Sequence, residues 1–417
     1  MTGAVDVVII GAGPYGLSLA AHLSARGVGF RIFGEAMRFW RDMPIGINLK
    51  SLAFATNIAV PDKGYAYSSW CRKHGLEDFE PCTMQSFATY GLEMQKRFVP
   101  DLEEVLVTNV QAGPRGFDVT IASGETLRTR KVVVCTGLSY LAHTPEELRG
   151  LTREHMRHTF DISDYSDFRR KTVAVIGGGS SAIEAGVLVR EAGGSAEIYL
   201  RGREAIFHGR TPRVRPLWQR IKDPISVLGA SRKGWVLQQL PLLVHFMPTE
   251  WRLRFVKSYL GPASPWWIMD RVLGKVPIHV EQKIVKADAV GKCVRLHMRD
   301  ATNNIREVEV EYIIAGTGYS LDVSRLAFLD DGLKRRIRCV EQAPTLSMNF
   351  ESSVQGLYFT GPLSFMSFGP LFRFVTGADF AAQMVTRHLA RASRSSSFSE
   401  GPVRILADHP RSRVGTR

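Results

Sequence analysis

The chain of 417 residues is long enough for two or three domains around a large buried core. Its 45% hydrophobic content is ordinary for a globular protein, and no apolar run approaches the roughly 18 residues that suggest a membrane span. The formal net charge of +14 comes mostly from residues 201–280, where 14 Lys and Arg outnumber 4 Asp and Glu. That stretch contains no nucleic-acid recognition motif, so we do not expect a nucleic-acid partner.

The cysteines and the first residues bear on the cellular compartment. None of the five cysteines forms a Cys-x-x-Cys pair, which is typical of a reducing compartment and argues against dithiol redox chemistry. A strand-like run begins at Val5 with no basic stretch before it, so no signal peptide is visible. We therefore expect a cytoplasmic location.

The N-terminal segment predicts a βαβ unit, with strands over 5–10 and 30–33 and a helix over 14–26. The turn between strand and helix, GAGPYG, has the glycine spacing of a dinucleotide-binding turn. Gly11 makes the tight bend, Gly13 lets the backbone approach a pyrophosphate, and Gly16 lets the helix pack closely on the strand. The pyrophosphate is expected at the helix N-terminus, next to Pro14 and Tyr15.

The end of the second strand should supply an acid for the ribose of this nucleotide. Gly34 stands at the strand end and Glu35 follows it, so Glu35 is the expected ribose ligand, displaced by one position. The alternative is an ordinary solvated glutamate.

Residues 40–100 interrupt the alternation of strands and helices and predict a cap over the first site, with a helix over 83–98. Strands are then expected over 105–110, 117–121 and 131–135. Val110 on the first of these strands is a candidate cofactor contact, as are Thr136 and Gly137 in the turn after the last.

A second βαβ unit is expected from strands over 171–176 and 196–200 and a helix over 180–191. Its turn, GGGSSA, repeats the dinucleotide-binding pattern, with Ala182 in the third position. Gly177, Gly179, Ser180 and Ser181 are therefore candidate contacts to a second pyrophosphate.

The two turns predict different nucleotides. After the second strand of the second unit the chain continues with Arg201 and Arg203, and no acid is available for a ribose hydroxyl. Guanidinium groups suit a 2′-phosphate, so this site is predicted to bind NADPH rather than NADH. The alternative is one more basic pair in a basic stretch.

The remaining pattern completes an α/β fold with two Rossmann-like dinucleotide-binding domains. Further strands are expected over 277–284, 294–298, 308–315 and 356–360. The expected domains are a discontinuous first domain over 1–150 and 331–390, an inserted second domain over 151–330, and a disordered tail over 391–417.

The insertion at 201–280 is basic and holds five of the seven tryptophans. We favour a helical subdomain with core aromatics and solvated charges. The alternatives are contact with an anionic membrane surface or an entrance for an apolar substrate.

Several local signatures resemble the flavin-dependent class B monooxygenases, most closely the branch that N-hydroxylates lysine and ornithine. The first turn is similar to the FAD fingerprint of that family, and Trp40 and the segment from Lys50 to Asn57 resemble its flavin-facing stretches. Residues 311–319 and 361–369 are similar to two further motifs, with Pro362 where related reductases carry an acid. The resemblance adds these cofactor contacts: Trp40, Lys50, Asn57, Thr317, Gly318, Tyr319, Gly361, Pro362, Phe368 and Gly369.

The resemblance implies that NADPH reduces FAD, that O2 forms a flavin C4a-hydroperoxide, and that one oxygen atom passes to a soft nucleophile. The implied reaction is N-hydroxylation of a small amine, with Lys50 and Asn57 in the catalytic environment, and no metal is expected. Packing or solvated roles are the alternative for both residues. The alternative functions are a non-oxygenating NADPH-dependent flavin oxidoreductase and a non-catalytic redox sensor that binds FAD or NADP.

Overall fold

The computed structural model describes residues 5–210, 212–259 and 261–394. The helix Gly377–Arg394 extends four residues into the tail expected over 391–417. The remainder of that tail, 395–417, lies outside the described residues.

A six-stranded sheet carries the first glycine turn. Val5–Ile10 lies between two parallel neighbours, Phe30–Phe33 and the second half of Thr126–Val134. Leu357–Phe359 pairs in parallel with the second half of Thr126–Val134, so the chain returns to this sheet after the second domain. Val7, Val8 and Val132 to Val134 are fully buried, as in a parallel sheet covered on both faces.

The first sheet ends in an antiparallel meander. The first half of Thr126–Val134 pairs with Gly116–Ile121, which pairs with Val107–Gly113. The helix that follows the glycine turn, Pro14–Ser24, packs against Gly377–Arg394. The cap contains the helices Arg38–Arg41, Tyr67–Lys73 and Met84–Phe98, and Thr83 caps the last of these through its side chain.

A five-stranded, fully parallel sheet carries the second glycine turn. Thr172–Ile176 lies between Ser195–Tyr199 and Tyr312–Ala315. The outer strands are Ile278–His279 and Met156–His158, and the helix Ser180–Glu191 follows the turn.

Two strands expected to be continuous are each divided. The strand expected over 277–284 breaks at Glu281, which has a positive φ of 53°, and the chain resumes as Lys283–Val290. The strand expected over 308–315 breaks at Glu311, whose backbone N–H donates to the Thr172 carbonyl. Both breaks move the chain between the parallel sheet and an antiparallel sheet of Lys283–Val290, Cys293–Arg299 and Ile305–Val310.

The insertion forms a helical subdomain with a small core of its own. Leu237, Val244 and Val256 are buried there together with Phe365. The expectation that its aromatic side chains are core residues is wrong for Trp218, Trp235 and Trp251, which are 65%, 44% and 75% exposed. Its helices are Leu217–Lys222, Arg232–Gln239, Thr249–Ser258 and Met269–Val272. None of the helices in the described ranges is long and apolar enough to cross a membrane.

Candidate active site

The three glycines of the first turn have separate physical roles. Gly11 has a φ of +111°, and a Cβ there would lie 2.6 Å from the Cys135 carbonyl oxygen. A Cβ on Gly16 would lie 1.8 Å from the Gly11 carbonyl oxygen, so Gly16 packs within the turn and does not reach a ligand. Gly13 has nothing within 4 Å of its Cβ position and begins the helix without a side-chain cap. Its open side and the helix N–H groups are therefore free to receive a phosphate.

The second turn repeats this geometry. Gly177 has a φ of +142°, and a Cβ there would meet the Gly316 carbonyl oxygen at 2.2 Å. Ala182 packs directly against Gly316, where any Cβ would lie 2.6 Å from the Ala182 methyl group. Gly179 begins the helix without a side-chain cap, and the nearest atom to its Cβ position is 3.9 Å away. This turn is therefore also shaped for a phosphate.

Both turns open into one cleft of about 1850 Å³. Typical single-ligand sites occupy roughly 300–1,000 Å³, so this cleft has room for more than one ligand. Most of the residues expected to bind cofactors line it: Gly11, Gly13, Pro14, Tyr15, Glu35, Trp40, Lys50, Thr136, Gly137, Gly177, Gly179, Ser180, Ser181, Arg201, Thr317, Gly318, Tyr319 and Pro362.

Gly34 explains the displaced position of the acid in the first unit. Gly34 has a φ of +133°, and a Cβ there would approach the Ala12 nitrogen to 3.2 Å, so the strand must end in glycine beside the turn. Glu35 follows at the cleft wall, with its carboxylate 2.8 Å from the Arg38 guanidinium. The carboxylate stays accessible for a second contact, because its side chain is 34% exposed.

The two arginines that follow the second βαβ unit, Arg201 and Arg203, lie in different environments. Arg201 lines the cleft, whereas the Arg203 side chain is 92% exposed and its Nε lies 3.6 Å from a carboxylate oxygen of Glu281. The structure therefore does not bring Arg203 to the cleft. Lys283 and His208, which the sequence did not single out, are further basic side chains on the cleft wall.

Lys50 and Glu184 form a titratable pair inside the cleft. Lys50 remains accessible from the cleft, yet the surrounding protein lowers the pKa of its ammonium by desolvation, partly opposed by Glu184. Glu184 is 5% exposed, and burial raises the pKa of its carboxyl group, partly opposed by Lys50. The Ser180 hydroxyl donates to Glu184 Oε1 at 3.2 Å. Glu184 was missed because a glutamate within a helix has no distinguishing sequence pattern.

Asn57 is not placed for the catalytic role expected of it. Its Nδ2 donates to the Phe54 carbonyl at 3.2 Å, and its Oδ1 accepts from the Tyr67 backbone N–H at 2.7 Å. Residues 54–56 line the cleft, but Asn57 does not. Its amide holds together two backbone segments of the cap.

Four other expected contacts lie outside the cleft wall. Val110 is fully buried, and its backbone forms hydrogen bonds with the backbones of Phe328 and Asp330. The strand has a bulge between Val107 and Asn109, and Val107 lines the cleft instead of Val110. Three more residues pack inside the molecule. A Cβ on Gly361 would meet the Tyr15 ring at 3.4 Å, Phe368 stacks on Phe350 at 4.1 Å, and a Cβ on Gly369 would meet Val244 at 2.9 Å.

The loop 317–319 is anchored to the segment before the second unit. The Thr317 hydroxyl donates to the His143 carbonyl, and the His143 N–H donates to the Gly318 carbonyl at 2.9 Å. His158 Nε2 lies 3.0 Å from the same carbonyl oxygen, and burial lowers the pKa of its imidazole. His158 thus has a structural role, and within the described ranges no cluster of His, Cys, Asp or Glu could hold a metal.

Comparisons with known proteins agree with this architecture. The family model described as pyridine nucleotide-disulphide oxidoreductase matches residues 8–225. An uncharacterized CzcO-like oxidoreductase from Geobacillus kaustophilus (strain HTA426) is 23% identical over 363 residues, 86% of this chain and 90% of that protein.

Two solved structures share the fold over nearly the whole chain. The ornithine hydroxylase of Pseudomonas aeruginosa matches with a TM-score of 0.74 and 17% identity, covering 93% of this chain and 99% of that one. The ornithine N-hydroxylase of Kutzneria sp. 744, solved with reduced FAD, NADP+ and L-ornithine, matches with a TM-score of 0.72 and 16% identity, covering 94% and 100%. The chain therefore has the fold of these flavin monooxygenases.

Proposed function

The chain belongs to the pyridine nucleotide-disulphide oxidoreductase family, and we propose that it is an FAD- and NADPH-dependent monooxygenase that N-hydroxylates a small amine. The observation that carries the proposal is the single cleft of about 1850 Å³, into which two dinucleotide-binding turns open. A flavin on one turn and a nicotinamide nucleotide on the other would share one reaction space.

The first turn is assigned to FAD. Gly13 leaves the space that a pyrophosphate needs, Glu35 is accessible for the ribose, and Trp40 and Pro362 line the same cleft. The second turn is assigned to NADPH, with Gly179 and Ser180 at the pyrophosphate and Arg201 at the 2′-phosphate. FAD held at the first turn would supply the chemistry that activates O2.

Amine chemistry is inferred from the fold relatives and from the residues of the cleft. The two solved structures named above are an ornithine hydroxylase and an ornithine N-hydroxylase, and N-hydroxylation adds a hydroxyl group to a nitrogen atom. Glu184 and Lys50 both line the cleft, and burial raises the pKa of the first and lowers the pKa of the second. Both shifts favour the neutral forms, so Lys50 opposes an ammonium substrate less than a fully charged lysine would.

A disulphide reductase is the competing activity within this family. Such an enzyme needs a reactive thiol beside the flavin. Cys135 is the cysteine that lines the cleft among the described residues, and burial raises the pKa of its thiol to about 12. A thiol with that pKa is almost fully protonated at neutral pH and is a poor nucleophile, so the monooxygenase is favoured.

The test is NADPH oxidation by the FAD-loaded protein in the presence of a panel of diamines and basic amino acids. The expected result is amine-stimulated O2 consumption with a product heavier by one oxygen atom, detected by mass spectrometry. A protein that oxidises NADPH equally fast without O2, using a disulphide as acceptor, would be a reductase instead.

A further inference from the structure

Three helices of the insertion each expose one tryptophan. These are Trp218 on Leu217–Lys222, Trp235 on Arg232–Gln239 and Trp251 on Thr249–Ser258, with exposed fractions of 65%, 44% and 75%. The other four tryptophans of the chain are at least partly covered. Large exposed aromatic side chains grouped on one subdomain indicate a surface that something else covers.

Each of these tryptophans has a basic neighbour on the same face of its helix. Lys222 follows Trp218 by four positions, Arg232 precedes Trp235 by three, and Arg254 follows Trp251 by three. All three basic side chains are exposed, and none forms an ion pair with any residue that the structure describes. Pairing an aromatic ring with a cation on one face is the composition of interfacial anchors.

Further apolar side chains of the same subdomain are also exposed. We define the insertion face as the three tryptophans, their three basic neighbours and six exposed apolar residues of the same subdomain. None of these residues lines the cleft, so the insertion face is distinct from the active site. The six are Val214, Leu217, Ile221, Leu240, Leu243 and Phe246, with exposed fractions from 40% to 89%.

The charge of the surrounding segment distinguishes between the candidate occupants. Residues 212–259 hold nine Lys and Arg and two Asp and Glu. Two copies of such a segment would repel each other, which disfavours a dimer through this face. A small apolar ligand would not require the cations. An anionic lipid surface satisfies both the aromatic rings and the positive charges.

We propose that the insertion face docks the protein on the surface of a bilayer that contains anionic lipids. The aromatic and aliphatic side chains enter the headgroup region, and Lys222, Arg232 and Arg254 contact lipid phosphates. The proposal concerns a surface outside the cleft and does not depend on the identity of the reaction.

The experiment is cosedimentation of the full-length, FAD-loaded protein with phosphatidylcholine vesicles that contain or lack phosphatidylglycerol. We expect binding to the vesicles that contain phosphatidylglycerol, weakened by added salt, together with a blue shift of tryptophan emission. The variants Trp218→Ser/Trp251→Ser and Lys222→Glu/Arg254→Glu should each bind at least about tenfold more weakly.

Matched controls lie outside the insertion, on the antiparallel sheet and, for Arg115, in the hairpin turn between Val107–Gly113 and Gly116–Ile121. Val290→Ser/Ile305→Ser removes apolar side chains that are 41% and 54% exposed, and Arg115→Glu/Lys292→Glu reverses two exposed charges. Both controls should bind like the wild type. FAD content and the unfolding midpoint report whether each variant is folded. If Trp218→Ser/Trp251→Ser does not fold, the vesicle binding of Lys222→Glu/Arg254→Glu decides the test.

Three outcomes would overturn the proposal. The first is no binding of the wild type to vesicles that contain phosphatidylglycerol at low salt. The second is equal weakening by the control variants. The third is a dimer, measured by light scattering, that the Trp218→Ser/Trp251→Ser variant abolishes, because the face would then bind a second copy.

Discussion

At the scale of single residues, Gly13 is the glycine of the first turn whose Cβ position faces the space expected for the pyrophosphate. Its Cβ position contacts no protein atom, so Gly13→Val should fold but obstruct the pyrophosphate. We expect the purified variant to lose FAD, measured by the ratio of flavin to protein absorbance. Gly150→Val is the control, because Gly150 also has no atom within 4 Å of its Cβ position and lies outside the cleft. Full FAD occupancy in Gly13→Val would refute the assignment of this turn.

Arg201 and Arg203 should differ as determinants of nucleotide preference. Arg201 lines the cleft, whereas Arg203 points to solvent beside Glu281. Arg201→Ala should lower kcat/KM for NADPH by about tenfold to a hundredfold, the usual cost of a lost charge-assisted bond, and leave NADH unchanged. Arg203→Ala should have little effect. Equal losses in both variants would mean that the outer arginine moves inward when the nucleotide binds.

The raised pKa of Glu184 predicts how stability depends on pH. The folded protein holds the Glu184 proton to a higher pH than the unfolded chain, whose ordinary value is 4.5. The stabilisation from this group is complete below 4.5 and is lost as the pH rises through the folded pKa. In the wild type, the free energy of unfolding should therefore fall as the pH rises from 4.5 through the folded pKa of Glu184. Glu184→Gln should lack this fall, measured by urea denaturation across a pH series. Identical pH profiles for the variant and the wild type would contradict this.

At the scale of elements, Asn57 ties the Phe54 turn to the start of the helix Tyr67–Lys73. Asn57→Ala leaves the Tyr67 N–H without its side-chain acceptor and should cost about 1–2 kcal/mol in the free energy of unfolding. Asn57→Asp keeps that acceptor and should recover part of the loss. FAD content and the yield of product per NADPH should stay at wild-type levels. A rise in peroxide release without a stability change would restore Asn57 to the catalytic environment.

Element geometry also decided which sequence predictions succeeded. Both glycine turns were predictable because strand, turn and helix are contiguous, so local spacing determines their shape. The failures depend on distant or irregular contacts. Asn57 accepts a hydrogen bond from Tyr67, and Arg203 lies beside Glu281. Val107 lines the cleft in place of Val110 because of a β-bulge, which the hydrophobic periodicity of the sequence does not reveal.

At the scale of the whole molecule, the cap and the insertion meet beside the cleft. The Arg210 guanidinium pairs with Glu80, and Arg213 lies 3.9 Å from carboxylate oxygens of Glu77 and Asp78. Arg210 also lies over the Trp266 ring at 4.9 Å, and Arg210 and Trp266 both line the cleft. These contacts join two segments that are far apart in sequence at the wall of the proposed reaction space.

We expect these ion pairs to limit solvent entry during turnover. The pairs Arg210–Glu80 and Arg213–Glu77 are exposed, so each contributes at most about 1 kcal/mol and is screened by salt. Arg210→Gln/Arg213→Gln should raise peroxide release per NADPH by about twofold to fivefold at low salt, because a looser wall admits water. Added salt should bring the wild type toward the variant and leave the variant itself little changed. Arg295→Gln, which breaks pairs with Glu307 and Glu309 on the antiparallel sheet, is the matched control and should leak peroxide like the wild type. If peroxide release by the wild type does not depend on salt, these ion pairs do not limit solvent entry.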